Sequence, residues 1–216
     1  RRRHTRSFHV TGVQTCALPI LLSDVQVEAF QPPEQRTLFK CCPPIREEEN
    51  RERLWQALLN GVIDMVVSDH SPCTPALKQF GKADFGTAWG GISSLQYTLP
   101  LLWTEGRRFS VTVPQLAAWL SEKPAEMAGL GSRKGKIAAG YDADFLVFDP
   151  ERTWTVTHEG TFHRHKYSPY QGRTLSGKVV QTFLRGEKIF DEGSFPTSHR
   201  GEFLMKEMRG TRNESH

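Results

Sequence analysis

Apolar residues recur at helical spacing in one part of the chain and then give way to a continuous apolar run. The segment from Glu47 to Asn60 is predicted to be a helix, because its apolar residues repeat at intervals of three and four: Leu54, Trp55, Leu58 and Leu59. Gly61 is a natural end for this helix. The next residues, Val62 to Val67, are almost all apolar, which is typical of a parallel strand covered on both faces. Helix, tight turn and buried strand together predict one αβ unit of a parallel α/β fold.

The flanking segments carry weaker patterns. Upstream, Asp24 to Phe30 alternates apolar and polar residues and predicts a strand, and a second short apolar stretch runs from Thr37 to Cys42. Downstream, a long loop covers residues 71–91, and helices are predicted over Ile92 to Trp103, from Thr112 and from Lys123. A β-rich unit follows, with strands at Lys136-Ile137 and Asp144 to Phe148 and a hairpin formed by Val179 to Leu184 and Lys188 to Asp191.

The interpretation of the net charge depends on where the charged residues lie along the chain. The chain has 28 Lys+Arg against 24 Asp+Glu, a formal charge of +4, which on its own suggests an anionic partner. Four of the arginines, and no acid, lie in residues 1–20, so the remainder holds 24 basic and 24 acidic residues. The segment Val10 to Ile20 also resembles peptides translated from sequencing-adapter DNA. We therefore expect residues 1–20 to be a non-native leader, and we expect no nucleic-acid partner.

Two further classes are disfavoured by composition. No apolar run approaches the roughly 20 residues that a membrane span needs, so we expect a soluble protein with no membrane partner. The cysteines Cys16, Cys41, Cys42 and Cys73 form neither a disulfide framework nor zinc-ribbon pairs. An intracellular, cytoplasmic setting is expected, with an organelle as the alternative.

Three loops hold the residues most suited to chemistry. Asp69 directly follows the predicted buried strand, where parallel α/β barrels place catalytic groups, although an aspartate there also caps turns. The double proline after Cys42 holds a turn open, and Gly90 with Gly91 lets the backbone approach a small molecule closely. A nucleophilic cysteine is conceivable in the Cys41–Cys42 pair, but no base partner is evident.

His163 and His165 would share one face of a strand but lack an acidic partner, so we do not assign them a metal.

Four motifs together resemble the C-terminal part of the cyclic amidohydrolases, and within that family the allantoinase group. They are Lys40-Cys-Cys-Pro-Pro-Ile-Arg46, Gly61-Val-Ile-Asp-Met-Val-Val-Ser-Asp-His-Ser-Pro-Cys73, Ala88-Trp-Gly-Gly-Ile92 and Gly135-Lys-Ile-Ala-Ala-Gly-Tyr-Asp-Ala-Asp144. A fifth, His165-Lys-Tyr-Ser-Pro-Tyr-Gln-Gly-Arg-Thr174, is similar to a stretch near the end of allantoinases and dihydroorotases. The resemblance covers about residues 36–205.

The resemblance implies an α/β fold, namely the C-terminal part of a (β/α)₈ TIM-type barrel with part of a small β-sandwich built from both chain ends. It implies residues 21–133 as barrel, 134–195 as the β-rich accessory segment and 196–216 as a tail. Two zinc ions bridged by a carboxylated lysine would serve hydrolysis of (S)-allantoin, a cyclic ureide, to allantoate. Asp69 would be both proton acceptor and metal ligand, with the substrate contacted by Cys42, His70, Ser71, Gly90 and Gly91. The full-length enzyme would be a homotetramer.

The chain also departs from the family pattern. A barrel of this type takes about 250 residues, and only the last αβ unit or two are present. The His-x-His motif, the carboxylated lysine and two further metal histidines would belong upstream of Asp69, where nothing matches them. We therefore expect this chain alone to be inactive and to bind zinc weakly or not at all. The alternatives are a dihydroorotase, a hydantoinase or dihydropyrimidinase, and a non-catalytic scaffold homologue, against which the retained Asp69 and His70 argue.

Overall fold

The computed structural model describes residues 14–82, 84–197 and 201–204. An α/β part is followed by an antiparallel sheet. The α-helices and strands, in chain order, are β1 (Gln14–Cys16), α1 (Ala17–Leu21), α2 (Asp24–Ala29), α3 (Glu48–Leu59), β2 (Met65–Val67), α4 (Pro75–Lys78), α5 (Thr98–Gly106), α6 (Val113–Ala117), α7 (Lys123–Met127), β3 (Phe145–Thr155), β4 (Thr174–Leu184) and β5 (Glu187–Asp191). Short 3₁₀ helices cover Pro33–Phe39, Leu95–Tyr97 and Arg107–Phe109, and a π-helical turn, Ala118–Glu122, joins α6 to α7. No helix within the described ranges is both long and apolar enough to cross a membrane.

The predicted αβ unit is confirmed. Helix α3 buries Trp55 and Leu58 in the core, and the Trp55 ring stacks on Phe109 with ring centroids 5.0 Å apart. Strand β2 is shorter than its apolar run, and it pairs in parallel with β1, with Gln14 opposite Met65. Met65 and Val66 are buried next to a parallel neighbour, as the composition indicates, whereas Val62 at the start of the apolar run is 65% exposed.

Residues 14–20, part of the expected leader, pack against the α/β part, and the non-native origin of the leader stays a prediction. Besides the pairing of β1 with β2, Ile20 is completely buried, together with Leu21 and Leu22. Composition does not indicate this packing, because β2, the partner of β1, lies about 50 residues further along the chain. Residues 1–13 lie outside the described residues, as do 198–200 and 205–216 of the expected tail.

Two predicted strands are wrong. Asp24–Ala29 is helical, because Ser23 and Gln26 form a helix-capping arrangement in which the Gln26 side chain accepts from the Ser23 amide at 2.7 Å. The alternation of apolar residues there was weaker than this local capping signal. Lys136 and Ile137 lie in irregular backbone between Gly135 and Gly140, two glycines with left-handed backbone, and Ile137 is 87% exposed.

The C-terminal sheet has the order β3-β4-β5 and is antiparallel throughout, which confirms the predicted hairpin. Helix α5 packs against β4, and Gly177 allows the close approach. A Cβ at Gly177 would lie 2.4 Å from the Phe148 ring and 2.6 Å from the Trp103 ring, so only glycine fits. The Trp103 indole donates to the Pro150 carbonyl at 2.8 Å and fixes the helix on the sheet.

A buried ionic cluster joins three parts of the chain. Glu105 on α5 accepts from Arg173, which precedes β4, at 2.8 Å, and lies 3.7 Å from Arg51 on α3. Arg51 is almost fully buried and also pairs with Glu48. Because a buried arginine requires compensating carboxylates, this cluster requires α3, α5 and the start of β4 to be placed together.

Candidate functional site

Asp69 lies just beyond the C-terminal end of β2, as its position in the sequence predicts. Its carboxylate is exposed, and its backbone is left-handed with φ of 47°, an uncommon conformation for a residue other than glycine. The Ser71 hydroxyl donates to the Asp69 carbonyl at 3.2 Å. Strained backbone of this kind clusters at functional positions, because the surrounding contacts must hold it in place.

The His70 side chain fixes the loop that carries Asp69. Its Nδ1 accepts backbone N–H groups from Ser94 at 3.1 Å and Leu95 at 3.2 Å, which leaves the proton of the neutral ring on Nε2. The Ser94 hydroxyl donates to the Ser68 carbonyl at 2.6 Å. The side chains of His70 and Ser94 therefore each join the end of β2 to the turn before α5 by hydrogen bonds. Burial lowers the pKa of His70, which favours this neutral ring.

The three predicted loops meet around Gly91. The Gly91 amide donates to the Lys40 carbonyl at 2.9 Å, in the turn that leads to Cys42. On the other side, the Ser71 amide donates to the Ile92 carbonyl at 3.0 Å, and the Ile92 amide donates to the Ser71 hydroxyl at 3.2 Å. Gly91 itself is buried, and a Cβ there would lie 2.4 Å from the Ser71 carbonyl oxygen. Any other residue would therefore push these loops apart.

Cys42 and Gly90 lie at the surface of this junction. Both are exposed, and a Cβ at Gly90 would meet no atom within 4 Å. The backbone at these two positions is thus accessible to a ligand, whereas Gly91 and Ser71 hold the loops together. Of the predicted residues, Ser71 and Gly91 are in direct contact, and Cys42 is linked to them through Lys40.

Lys78, which no sequence pattern singles out, contacts the same loops. Its side chain is buried, and Nζ donates to the carbonyls of Thr37 at 3.1 Å, Lys40 at 3.0 Å and Trp89 at 3.1 Å. Burial lowers the pKa of Lys78 to about 8, and the nearby Cys73 and Cys41 partly oppose this shift. Nothing in the local sequence distinguishes Lys78 from an exposed lysine on a short helix.

His163 also approaches the site, in a way that differs from the strand geometry considered for it. The segment from Phe162 to His165 is loop, and the His163 ring lies 5.1 Å from the His70 ring and 5.6 Å from the Tyr97 ring, centroid to centroid. Burial, followed by the neighbouring His70, lowers the pKa of His163. Within the described residues, no three His, Cys, Asp or Glu side chains gather closely enough to hold a metal ion. Asp69 and these histidines do not form a complete metal site by themselves.

The thiols of this region do not favour a cysteine nucleophile. Cys41 is buried, its Sγ donates to the Pro43 carbonyl at 3.2 Å, and burial raises its pKa to about 11. Burial also raises the pKa of Cys73. Since the thiolate is the reactive form, neither thiol is activated.

These environments predict an order of alkylation. At pH 8 with iodoacetamide, the exposed Cys42 should react at least about tenfold faster than Cys73, and Cys41 should be slowest, because at a pKa of about 11 only roughly one thiol in a thousand is ionised. Peptide mass spectrometry over a time course measures the three rates, with urea-unfolded chain as the control in which the differences should vanish. Fast alkylation of Cys41 in the folded chain would contradict this assignment.

Comparison with known sequences gives a consistent set of relatives. The model of the amidohydrolase family matches residues 11–189. An allantoinase from Streptomyces avermitilis is 47% identical over 195 residues, which is 90% of this chain and 42% of that protein. Allantoinases from Arabidopsis thaliana and Saccharomyces cerevisiae are 46% and 44% identical over 89% and 76% of the chain, and over 37% and 35% of their own lengths. The chain thus spans about two fifths of the relatives it matches.

Solved structures extend the likeness to the fold. A dihydropyrimidinase from Brevibacillus agri aligns with a TM-score of 0.77 at 30% identity, covering 84% of this chain and 40% of that one. An L-hydantoinase from Arthrobacter aurescens has the same TM-score and identity, over 85% of this chain and 40% of its own. This likeness confirms the α/β, TIM-barrel-type fold, of which the chain is a part.

Proposed function

Since the chain belongs to the amidohydrolase family, we propose that the protein of which it forms part hydrolyses allantoin to allantoate. The observation that carries this proposal is the identity of 44–47% to allantoinases from a bacterium, a plant and a yeast. The aligned dihydropyrimidinase and L-hydantoinase are 30% identical. The closer likeness in sequence therefore favours the five-membered ureide ring as substrate.

In this proposal Asp69 transfers the proton. Its carboxylate accepts a proton from the water that adds to the ring carbonyl carbon, and returns that proton to the ring nitrogen as the carbon–nitrogen bond breaks. The products are a carboxylate and a ureido group on one open chain. The exposed position of Asp69 at the end of β2 supports this role.

The remaining site residues would bind and orient the ring. The backbone of Cys42 and Gly90 is exposed at the junction of the loops and would contact the substrate, while Gly91 sets the spacing between the loops. His70 and Ser71 would hold the Asp69 loop through the hydrogen bonds to Ser94, Leu95 and Ile92. Polar backbone groups of this kind suit a ligand rich in amide donors and acceptors.

Members of the amidohydrolase family are generally metal-dependent, and Asp69 is the residue of this chain that we propose as a ligand. We propose two zinc ions bridged by a carboxylated lysine, with the other ligands supplied by parts of the protein outside this chain. Bound ions of this type would lower the pKa of a water and polarise the carbonyl. We also propose that the complete protein is a cytoplasmic homotetramer.

The test is hydrolysis by the complete protein, expressed from the extended gene. Allantoin should be hydrolysed with a kcat/KM at least about 100-fold above those for hydantoin, dihydrouracil and dihydroorotate, because a site that pairs polar groups of one ring leaves them unpaired with another. The 216-residue chain is the control, and it should show neither hydrolysis nor stoichiometric zinc. Preference for hydantoin or dihydrouracil would instead support the alternative suggested by the solved structures.

A further inference from the structure

The site contains a buried cation that the proposed chemistry does not use. Lys78 lies at the C-terminal end of α4, is 5% exposed, and has all three of its N–H donors directed at backbone carbonyls. A fourth carbonyl, that of Leu38, lies at 3.5 Å. Lysine is almost never fully buried unless its charge is compensated, so this arrangement requires an explanation.

The carbonyls come from two separate loops. Thr37 and Lys40 belong to the segment that leads into the Cys42 turn, whereas Trp89 precedes Gly90 and Gly91. The carbonyl of Lys40 accepts from both Lys78 and the Gly91 amide, so the ammonium lies next to the bond that joins the loops. Lys78 thus links the two loops whose exposed backbone would contact the substrate.

Among the residues that the structure describes, no carboxylate forms a salt bridge with Lys78. The groups that face it are the thiols of Cys73 and Cys41 and the ammonium of Lys40, and burial works against its charged form. Lys40 in turn donates to the carbonyls of Gly86 at 3.3 Å and Ala88 at 2.5 Å. Two lysines therefore hold the loop before Gly90: Lys40, which itself belongs to the segment that precedes Cys42, and Lys78, which contacts both that segment and Trp89.

We propose that Lys78 is a positioning residue, whose buried ammonium holds the Lys40–Cys42 turn and the Trp89–Gly91 loop at the separation needed to bind the ring. The binding part of this statement rests on the proposed function, whereas the link between the loops does not. A methionine at position 78 would preserve the volume of the side chain and leave the carbonyls of Thr37 and Trp89 without this donor.

The first test measures how strongly the backbone amides of the two loops are protected from exchange with solvent. Hydrogen–deuterium exchange of the complete protein should show at least about fivefold faster exchange in Lys78→Met than in wild type for peptides covering residues 38–42 and 86–92, with no change in α3. Lys82→Met, which removes an exposed lysine four residues away, should match wild type. Unchanged loop exchange in Lys78→Met, or equal acceleration in α3, would overturn the link.

The second test measures binding. Lys78→Met should raise KM for allantoin at least about tenfold and change kcat less than threefold, whereas a loss of folded enzyme alone would lower kcat and leave KM unchanged. That second pattern would overturn the positioning role. If Lys78→Met is insoluble, Lys78→Gln replaces it in the same experiment. Because glutamine keeps a donor on a shorter side chain, KM for allantoin should then lie between the values for wild type and for complete loss of the donor. Wild-type protein that fails to hydrolyse allantoin would refute the proposed function, and the exchange experiment would still decide the link.

Discussion

Replacing Asp69 with asparagine in the complete protein is expected to lower kcat for allantoin by at least about 1,000-fold. The amide can neither accept the proton from water nor return it to the leaving nitrogen, and it is also a weaker metal ligand than a carboxylate. Asparagine is well suited to the left-handed backbone at this position, so the loop should keep its shape. The loss should therefore be one of chemistry, not of folding.

Steady-state kinetics and urea unfolding of the same preparation separate these two effects. Asp149→Asn is the matched control, because Asp149 is an exposed aspartate on β3 that caps a turn, away from the loops around Gly91. It should retain wild-type kcat. An Asp69→Asn enzyme with more than a tenth of wild-type activity would remove Asp69 from its proposed role.

Replacing Trp55 with alanine is expected to lower the free energy of unfolding of the chain by about 3–5 kcal/mol. Trp55 is fully buried on α3 and stacks on Phe109, so the substitution removes a large apolar surface and leaves a cavity. Such a loss is a large fraction of the stability of an ordinary domain. Urea unfolding followed by circular dichroism measures it.

Two other substitutions show whether burial is the cause. Trp89→Ala removes the same side chain from an exposed position, 48% accessible, and should cost less than about 1 kcal/mol. Trp55→Phe should cost less than Trp55→Ala, because the Trp55 indole N–H has no hydrogen-bond partner among the described residues and most of the volume is kept. Equal losses for Trp55→Ala and Trp89→Ala would contradict the assignment of Trp55 to the core.

The sequence predicted those elements whose patterns are local. Helix α3 and strand β2 are predictable because their apolar patterns coincide with buried residues such as Trp55, Leu58 and Val66, and the β4–β5 hairpin also lies where its pattern predicts it. Asp24–Ala29 is helical although three alternating apolar residues predict a strand, because the cap formed by Ser23 and Gln26 is the stronger local signal. The packing of Ile20 was missed for a different reason, since burial depends on partners distant in sequence.

Residues of the candidate site can be predicted from the sequence only where the residue type and its position together indicate a role. Asp69 follows a buried strand, and paired glycines indicate close backbone approach, so both could be identified from their positions. Lys78 could not, because its three acceptors come from segments roughly 40 residues before it and 11 after it. His163 approaches His70 across more than 90 residues of chain, and no short-range pattern indicates such a contact.

The cluster of Arg51, Glu105 and Arg173 has a consequence for the order of folding. Glu105 and Arg173 are 68 residues apart, so the bond between them cannot form until the start of β4 has left the ribosome, whereas the buried Arg51 already has Glu48 and Glu105 as partners. Until then Glu105 lacks its bond to Arg173, and closing so long a loop costs entropy before any contact repays it. The junction between α5 and the sheet should therefore form late in synthesis, together with the C-terminal sheet and not ahead of it.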